Sequence, residues 1–334
     1  MDAIPDGYAL GAADLPVDCG GDVPAYARPP AGDHGAGAGP PPGGTGAAAY
    51  HRRRVYWGRS RPVIRLRSIV QVGSGGLDAA QDAIGSQADA ILLSVADARV
   101  PLAEARQQVT AVLAAAGQGE KAALVVVNHP KTRLLRDDLD AILSPLVRGV
   151  LIPHAVEPQD VRDTAVYLRE FELRRGIEPG DTKVFPVIDT ARGLLHAEQI
   201  AMAAPRVGGL VFHAARFARD IGARPEQRGD RLAYARGKVV AVCRGLGISP
   251  LVTSDVLELT YLAEQGFAGA ILPDVRYVPT ANAAFAPGRL VKDRANAAVE
   301  AYEAARAEGA WVARFEDEVI DAEAARKLRH LIGE

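Results

Sequence analysis

Carboxylates, imidazoles and one guanidinium recur in this 334-residue chain where short apolar runs end, the pattern expected of side chains delivered to a common site. Asp189 closes the run FPVID, where an acid ligates a cation, pairs with a base or caps the following helix. His213 closes VFH; its near-neutral ionisation suits a general acid/base or a metal ligand, and a hydrogen-bonded structural histidine is the alternative. Arg216 follows three residues later, close enough for its guanidinium to reach a carboxylate on a neighbouring strand, with a surface arginine as the alternative. These three form the candidate catalytic set, with Asp189 the single candidate metal ligand. Arg67, Asp97, Asn128 and His154 form the candidate substrate-binding set. Asp97 competes with a helix-capping role before Pro101, and His154 with the same structural role as His213. His129, Ser254, Asp255 and Asp274 also follow apolar runs.

Such residues need elements that converge them. Strands are predicted near Ile69–Val72, Ala90–Val95, Leu124–Asn128, Val150–Ile152, Val184–Ile188, Gly209–Phe212, Pro250–Val252 and Gly269–Leu272. Helical patterns follow them: LDAAQDAIGSQ, PLAEARQQVTAVLAAAG, DDLDAILSPL, EPQDVRDTAVYLREFELRRG, ARGLLHAEQIAMAA, DRLAYARGKVVAVCRGLG and SDVLELTYLAEQG. The strands read as continuous rather than alternating apolar runs, as strands buried on both faces of a parallel sheet do. Eight β-then-α units predict an α/β fold, a closed (β/α)8 TIM barrel, whose reactive groups stand at the C-terminal ends of the strands. A doubly wound sheet commonly has fewer strands and a phosphate-binding glycine loop. The stretch QVGSGGLDA fails the third glycine of that motif, so no nucleotide cofactor is expected.

Residues 1–60 are rich in Gly, Pro and Ala and lack periodicity, which predicts a disordered leader. The barrel is expected over 61–288. A C-terminal helical extension is expected over 289–334, with helices near 289–308 and 317–332. The leader carries a basic run, His51 to Arg54, read as a solvated junction, with an anion-binding or docking arm as the alternative. A formal net charge of −2 offers no field to draw nucleic acid or an acidic membrane. Cys19 and Cys243 form no readable disulfide or zinc pattern. The sequence has neither a signal-like start nor an apolar stretch of membrane-spanning length, so a cytoplasmic protein with a small-molecule site is expected.

The stretches ADAILLSVADA, RGVLIPHAVEPQDV, VIDTARGLLHAEQIA, RVGGLVFHAARFARDIGA, YARGKVVAVCRGLGI and GFAGAILPDVRYVPTANAAFAP, in that order and spacing, resemble the citrate lyase beta subunit-like branch of the HpcH/HpaI aldolase family, which includes malyl-CoA lyases. The resemblance implies a carbon–carbon lyase acting on a CoA ester or a small 2-oxo acid, a homo-oligomer, and Mg2+ held by a Glu on strand five and an Asp after strand six. It also implies an Arg on strand three that grips the substrate carboxylate. On this sequence the metal Glu falls on Asp189, and the metal Asp falls on Arg216. The substrate Arg falls on Val126. The acidic pair after strand two falls on Ala96 and Asp97, a Lys after strand four on His154, and a His near strand eight on Leu272. A guanidinium in place of a carboxylate ligand repels a divalent ion and can instead pair with Asp189, so weak or absent Mg2+ binding is predicted. Three readings follow: a lyase or aldolase with an altered metal site, a non-catalytic or regulatory relative, and a metal-independent enzyme that uses the histidines and Arg216 directly.

Overall fold

A computed structural model describes residues 65–73, 76–96, 100–117, 121–223, 230–253 and 259–332. The expected leader, together with Cys19, Asp97, Ser254 and Asp255, lies outside the described residues. The apolar runs form strands β1 (Ser68–Gln71), β2 (Ala90–Ser94), β3 (Ala122–Val126), β4 (Val147–Ile152), β5 (Lys183–Ile188), β6 (Gly209–His213), β7 (Ser249–Thr253) and β8 (Gly269–Leu272). They pair in parallel in sequence order, and β8 closes back onto β1, with Ile69 opposite Ile271. This is the predicted (β/α)8 barrel.

Side-chain alternation explains why the runs are apolar throughout. One set of strand residues fills the inside of the barrel: Ile69, Leu92, Leu124, Leu151, Phe185, Val187, Val211, Leu251 and Ile271. Their neighbours, among them Val70, Ile91, Val125, Ile152, Ile188, Leu210, Phe212 and Val252, pack outward against the helices. The helices are α1 (Gly76–Gly85), α2 (Leu102–Gly117), α3 (Leu135–Ile142), α4 (Pro158–Arg174), α5 (Ala191–Leu195), α6 (Ala197–Ala201), α7 (Ala214–Asp220), α8 (Ala233–Leu246), α9 (Leu259–Glu264) and α10 (Val278–Ala284). Local chemistry fixes where α4 begins. Glu157 and Asp160 exchange side-chain bonds across its first turn, and Pro158 opens it.

Several boundaries differ from the sequence expectation. The pattern ARGLLHAEQIAMAA forms two helices, because His196 between them leaves helical geometry and its Nδ1 lies 2.7 Å from the Val156 carbonyl oxygen. Helices α7 and α10 were not anticipated. The stretch near 317–332 is not one helix. Its start forms β10 (Glu318–Ile320), which pairs antiparallel with β9 (Ala313–Phe315), and α12 (Ala322–Ile332) follows. Glu316, at φ 52°, turns the chain between the two strands. Helix α11 (Arg289–Ala307), the hairpin and α12 enclose a small core of their own around Tyr302, Ala313, Ile320 and Ala325. No helix of the described residues is long and apolar enough to cross a membrane.

Candidate active site

Strand parity aims the key carboxylate inward. Phe185 and Val187 line the barrel interior, so Asp189, two residues further, continues that row into the mouth with its side chain fully buried. The same alternation carries His213 inward beyond Val211. His154 arrives from the turn after β4 in a left-handed backbone conformation, φ 53°. This is an uncommon geometry for a residue with a Cβ, and such geometry persists where the surroundings enforce it. The bond from Ala155 N–H to the Val187 carbonyl pins that turn beside β5.

The result is a cluster drawn from three consecutive strand ends. His154 Nδ1 lies 2.9 Å from Asp189 Oδ2, and Arg216 Nη1 lies 3.6 Å from the same oxygen. His154 and Arg216 both reach solvent, with side chains 59% and 46% exposed, whereas the carboxylate does not. The histidine approach is close but misaligned: neither Asp189 oxygen receives a hydrogen bond of acceptable geometry. A buried carboxylate without donors is costly, and proteins keep such groups where a ligand or a reaction needs them. His213 caps α7 by accepting the Arg216 backbone N–H at Nδ1, 3.4 Å away. Burial first, and the Arg216 charge second, hold the His213 imidazole below its ordinary ionisation range, against an opposing pull from Asp189.

The remaining candidates are placed differently. Arg67 precedes β1 at the opposite, N-terminal end of the barrel. There it holds Asp89 through Nε at 3.0 Å and Nη2 at 2.7 Å, so its assignment to the substrate-binding set is corrected by location. Asn128 stands beyond β3, but its backbone N–H and side-chain amide both donate to buried Asp138, at 2.8 and 2.9 Å. Arg106 binds that same acid at 2.7 Å, which makes Asn128 a strut for α3. His129 is drawn to Asp160, 3.4 Å from its Nε2, at the start of α4. Asp274 receives the Arg276 N–H at 2.9 Å in a helix cap. Buried Cys243 has its thiol pushed up to about 12 by desolvation, which leaves it inert. The residue the sequence undervalued is His154, read as a substrate contact and found against Asp189. Its signal was the position immediately after a buried strand, shared with several uninvolved residues.

Among the described residues, the donors do not fit a magnesium ion. Mg2+ demands near-octahedral oxygen ligation at about 2.1 Å. Among the described residues, the cluster offers one carboxylate, with a guanidinium close beside it and an imidazole against the same oxygen. Val126, at the mouth end of β3, adds an apolar wall.

Residues 67–271 match the profile of the HpcH/HpaI aldolase/citrate lyase family. The citrate lyase subunit beta of Escherichia coli K12 is 28% identical over 194 residues, which cover 55% of this chain and 64% of the relative, just under two thirds of its length. The (3S)-malyl-CoA thioesterase of Cereibacter sphaeroides is 29% identical over 268 residues, 76% of this chain and 89% of the relative. Among solved structures, a citrate lyase from Burkholderia xenovorans LB400 superposes with a TM-score of 0.57 at 19% identity, covering 79% of this chain and 90% of that one. Haloferax volcanii malate synthase also reaches 0.57, at 16% identity over 79% and 89%. At those identities the two structures speak for the fold.

Proposed function

This chain belongs to the HpcH/HpaI aldolase/citrate lyase family, and from that premise we propose that it is a carbon–carbon lyase or aldolase for a small 2-oxo acid or CoA thioester, working without a divalent ion. The observation that carries this reading is the convergence of His154 and Arg216 on one buried, donor-free carboxylate. In such a site the positive charge that offsets a developing enolate comes from the protein's own guanidinium. Arg216, nearly half exposed, has its planar fork available to a substrate carboxylate or to the carbonyl oxygen. Asp189 attracts the guanidinium and faces the His154 ring, and His154 exchanges the proton at the reacting carbon.

A second reading, a non-catalytic or regulatory relative, is favoured by Val126, which leaves β3 without the carboxylate-gripping arginine that the resemblance implies. Thermal melting with pyruvate, oxaloacetate and acetyl-CoA in the presence of EDTA separates the two. A ligand at about a hundred times its dissociation constant adds roughly 2.7 kcal/mol of stability. The lyase reading expects at least one of these ligands to raise the melting temperature, with the rise lost in Arg216→Ala. No shift with any of them supports the non-catalytic reading. Calorimetric titration with Mg2+ tests the metal-free part: tight uptake that disappears in Asp189→Ala overturns it.

A further inference from the structure

We propose that His213 is the oxyanion donor of this mouth: its Nε2–H binds the carbonyl oxygen of a small 2-oxo acid as that oxygen gains negative charge during enolisation. This deepens the lyase reading and rests on it.

The geometry begins with the helix cap. Because Nδ1 accepts the Arg216 N–H, the single proton of a neutral ring resides on Nε2. The ring is half-buried on the inward-facing row of β6, one strand away from Asp189. Burial and the neighbouring guanidinium both disfavour a second proton on the ring, the first being the larger cause. A neutral imidazole N–H is suited to a developing enolate. It polarises the carbonyl without donating its own proton outright, and it is fixed before the reaction, so little reorganisation is needed as charge builds. Arg216, which shares the capping turn with His213, brings its guanidinium to the same wall of the mouth. One turn of backbone thus supplies two donors of different character, one for the substrate carboxylate and one for the carbonyl oxygen.

For pyruvate, the smallest 2-oxo acid with exchangeable hydrogens, the step balances as follows. A C3–H bond breaks, and its proton passes to His154 Nε2, the ring nitrogen opposite the one facing Asp189. The C–H electron pair becomes the C2–C3 π bond. The carbonyl π pair moves onto oxygen, where the His213 N–H holds it. Reversal returns a proton from solvent-equilibrated His154, so the methyl group exchanges hydrogen for deuterium with no net reaction.

Proton NMR of pyruvate in D2O with EDTA and the full-length protein reads this exchange. The wild type is expected to exchange the methyl protons faster than buffer alone. His213→Phe loses about 100-fold, the usual effect of removing one oxyanion donor. His213→Gln, whose side-chain amide keeps an N–H, recovers most of that loss, and calorimetric affinity for pyruvate is unchanged in both. Exchange in His213→Phe equal to wild type, or affinity falling in step with rate, overturns the inference and leaves the lyase reading standing. Pyruvate bound by the wild type without exchange also overturns it, and no binding of any ligand removes both. Since His213 caps a helix and the variant can lose structure, a second measurement uses the intact protein: the His213 Nε2–H resonance with oxalate, a planar mimic of the enolate. A downfield move supports the donor role; an unchanged resonance with oxalate bound sinks it.

Discussion

Two buried carboxylates show what a single residue's surroundings decide. Glu172 on α4 is fully buried, as Asp189 is, but it accepts the Gly180 and Thr182 N–H groups at 3.0 and 3.1 Å and pairs with Arg206 at 2.9 Å. Asp189 accepts no hydrogen bond and has only the partly exposed Arg216 and His154 beside it. Removing one partner of a satisfied buried pair leaves a stranded charge, so Glu172→Ala should lower unfolding free energy by about 3–5 kcal/mol, read as a shift in urea midpoint. Asp189→Asn should have no such effect: its partly exposed neighbours rehydrate, and stability holds or rises by about 1 kcal/mol while ligand-induced stabilisation is lost. A drop comparable to that of Glu172→Ala would show Asp189 to be structural. The sequence displayed Asp189, because an acid ending an apolar strand stands out by position. It hid Glu172, whose partners come from a loop and from a segment beyond the next strand. It also misplaced Arg67, although in a parallel barrel a residue that precedes its strand stands at the N-terminal end, away from the mouth.

At the scale of elements, all eight strands were legible to within three residues, the largest offset at the start of β4, because burial on both faces leaves a continuous apolar signature. Their fit inside the barrel was not. Gly149 on β4 lies where an added Cβ would meet the Phe185 ring at 2.5 Å and Leu124 at 3.0 Å, so the aromatic ring occupies the space a larger residue would need. Gly149→Val should therefore destabilise the barrel by about 1–3 kcal/mol, and Phe185→Leu in the same chain should restore part of that loss. Additive losses in the double variant, measured by urea unfolding, would refute the steric account. The break between α5 and α6 escaped the sequence because the residues continue a helical pattern through His196. What ends the helix is a contact with Val156, forty positions earlier.

For the whole molecule, the hairpin beyond the barrel leaves Trp311 79% exposed, with Val312 and Val319 also outward. Apolar side chains displayed together at one end of a chain favour association. The expected homo-oligomer should appear by light scattering as a mass above that of one chain, and Trp311→Ser with Val319→Ser should lower it. A monomer in both forms removes the expectation. The amino-acid order alone determined the eight-fold alternation of elements, the closed parallel sheet and the strand ends on which the candidate residues stand, because burial periodicity and chain order are local properties that one closed topology satisfies. Only the tertiary structure decided which of those ends meet. The approach of His154 and Arg216 to one donor-free carboxylate, and the tying of Asn128 to Asp138, depend on backbone turns and side-chain reach across neighbouring strands. Spacing along the chain does not encode those distances.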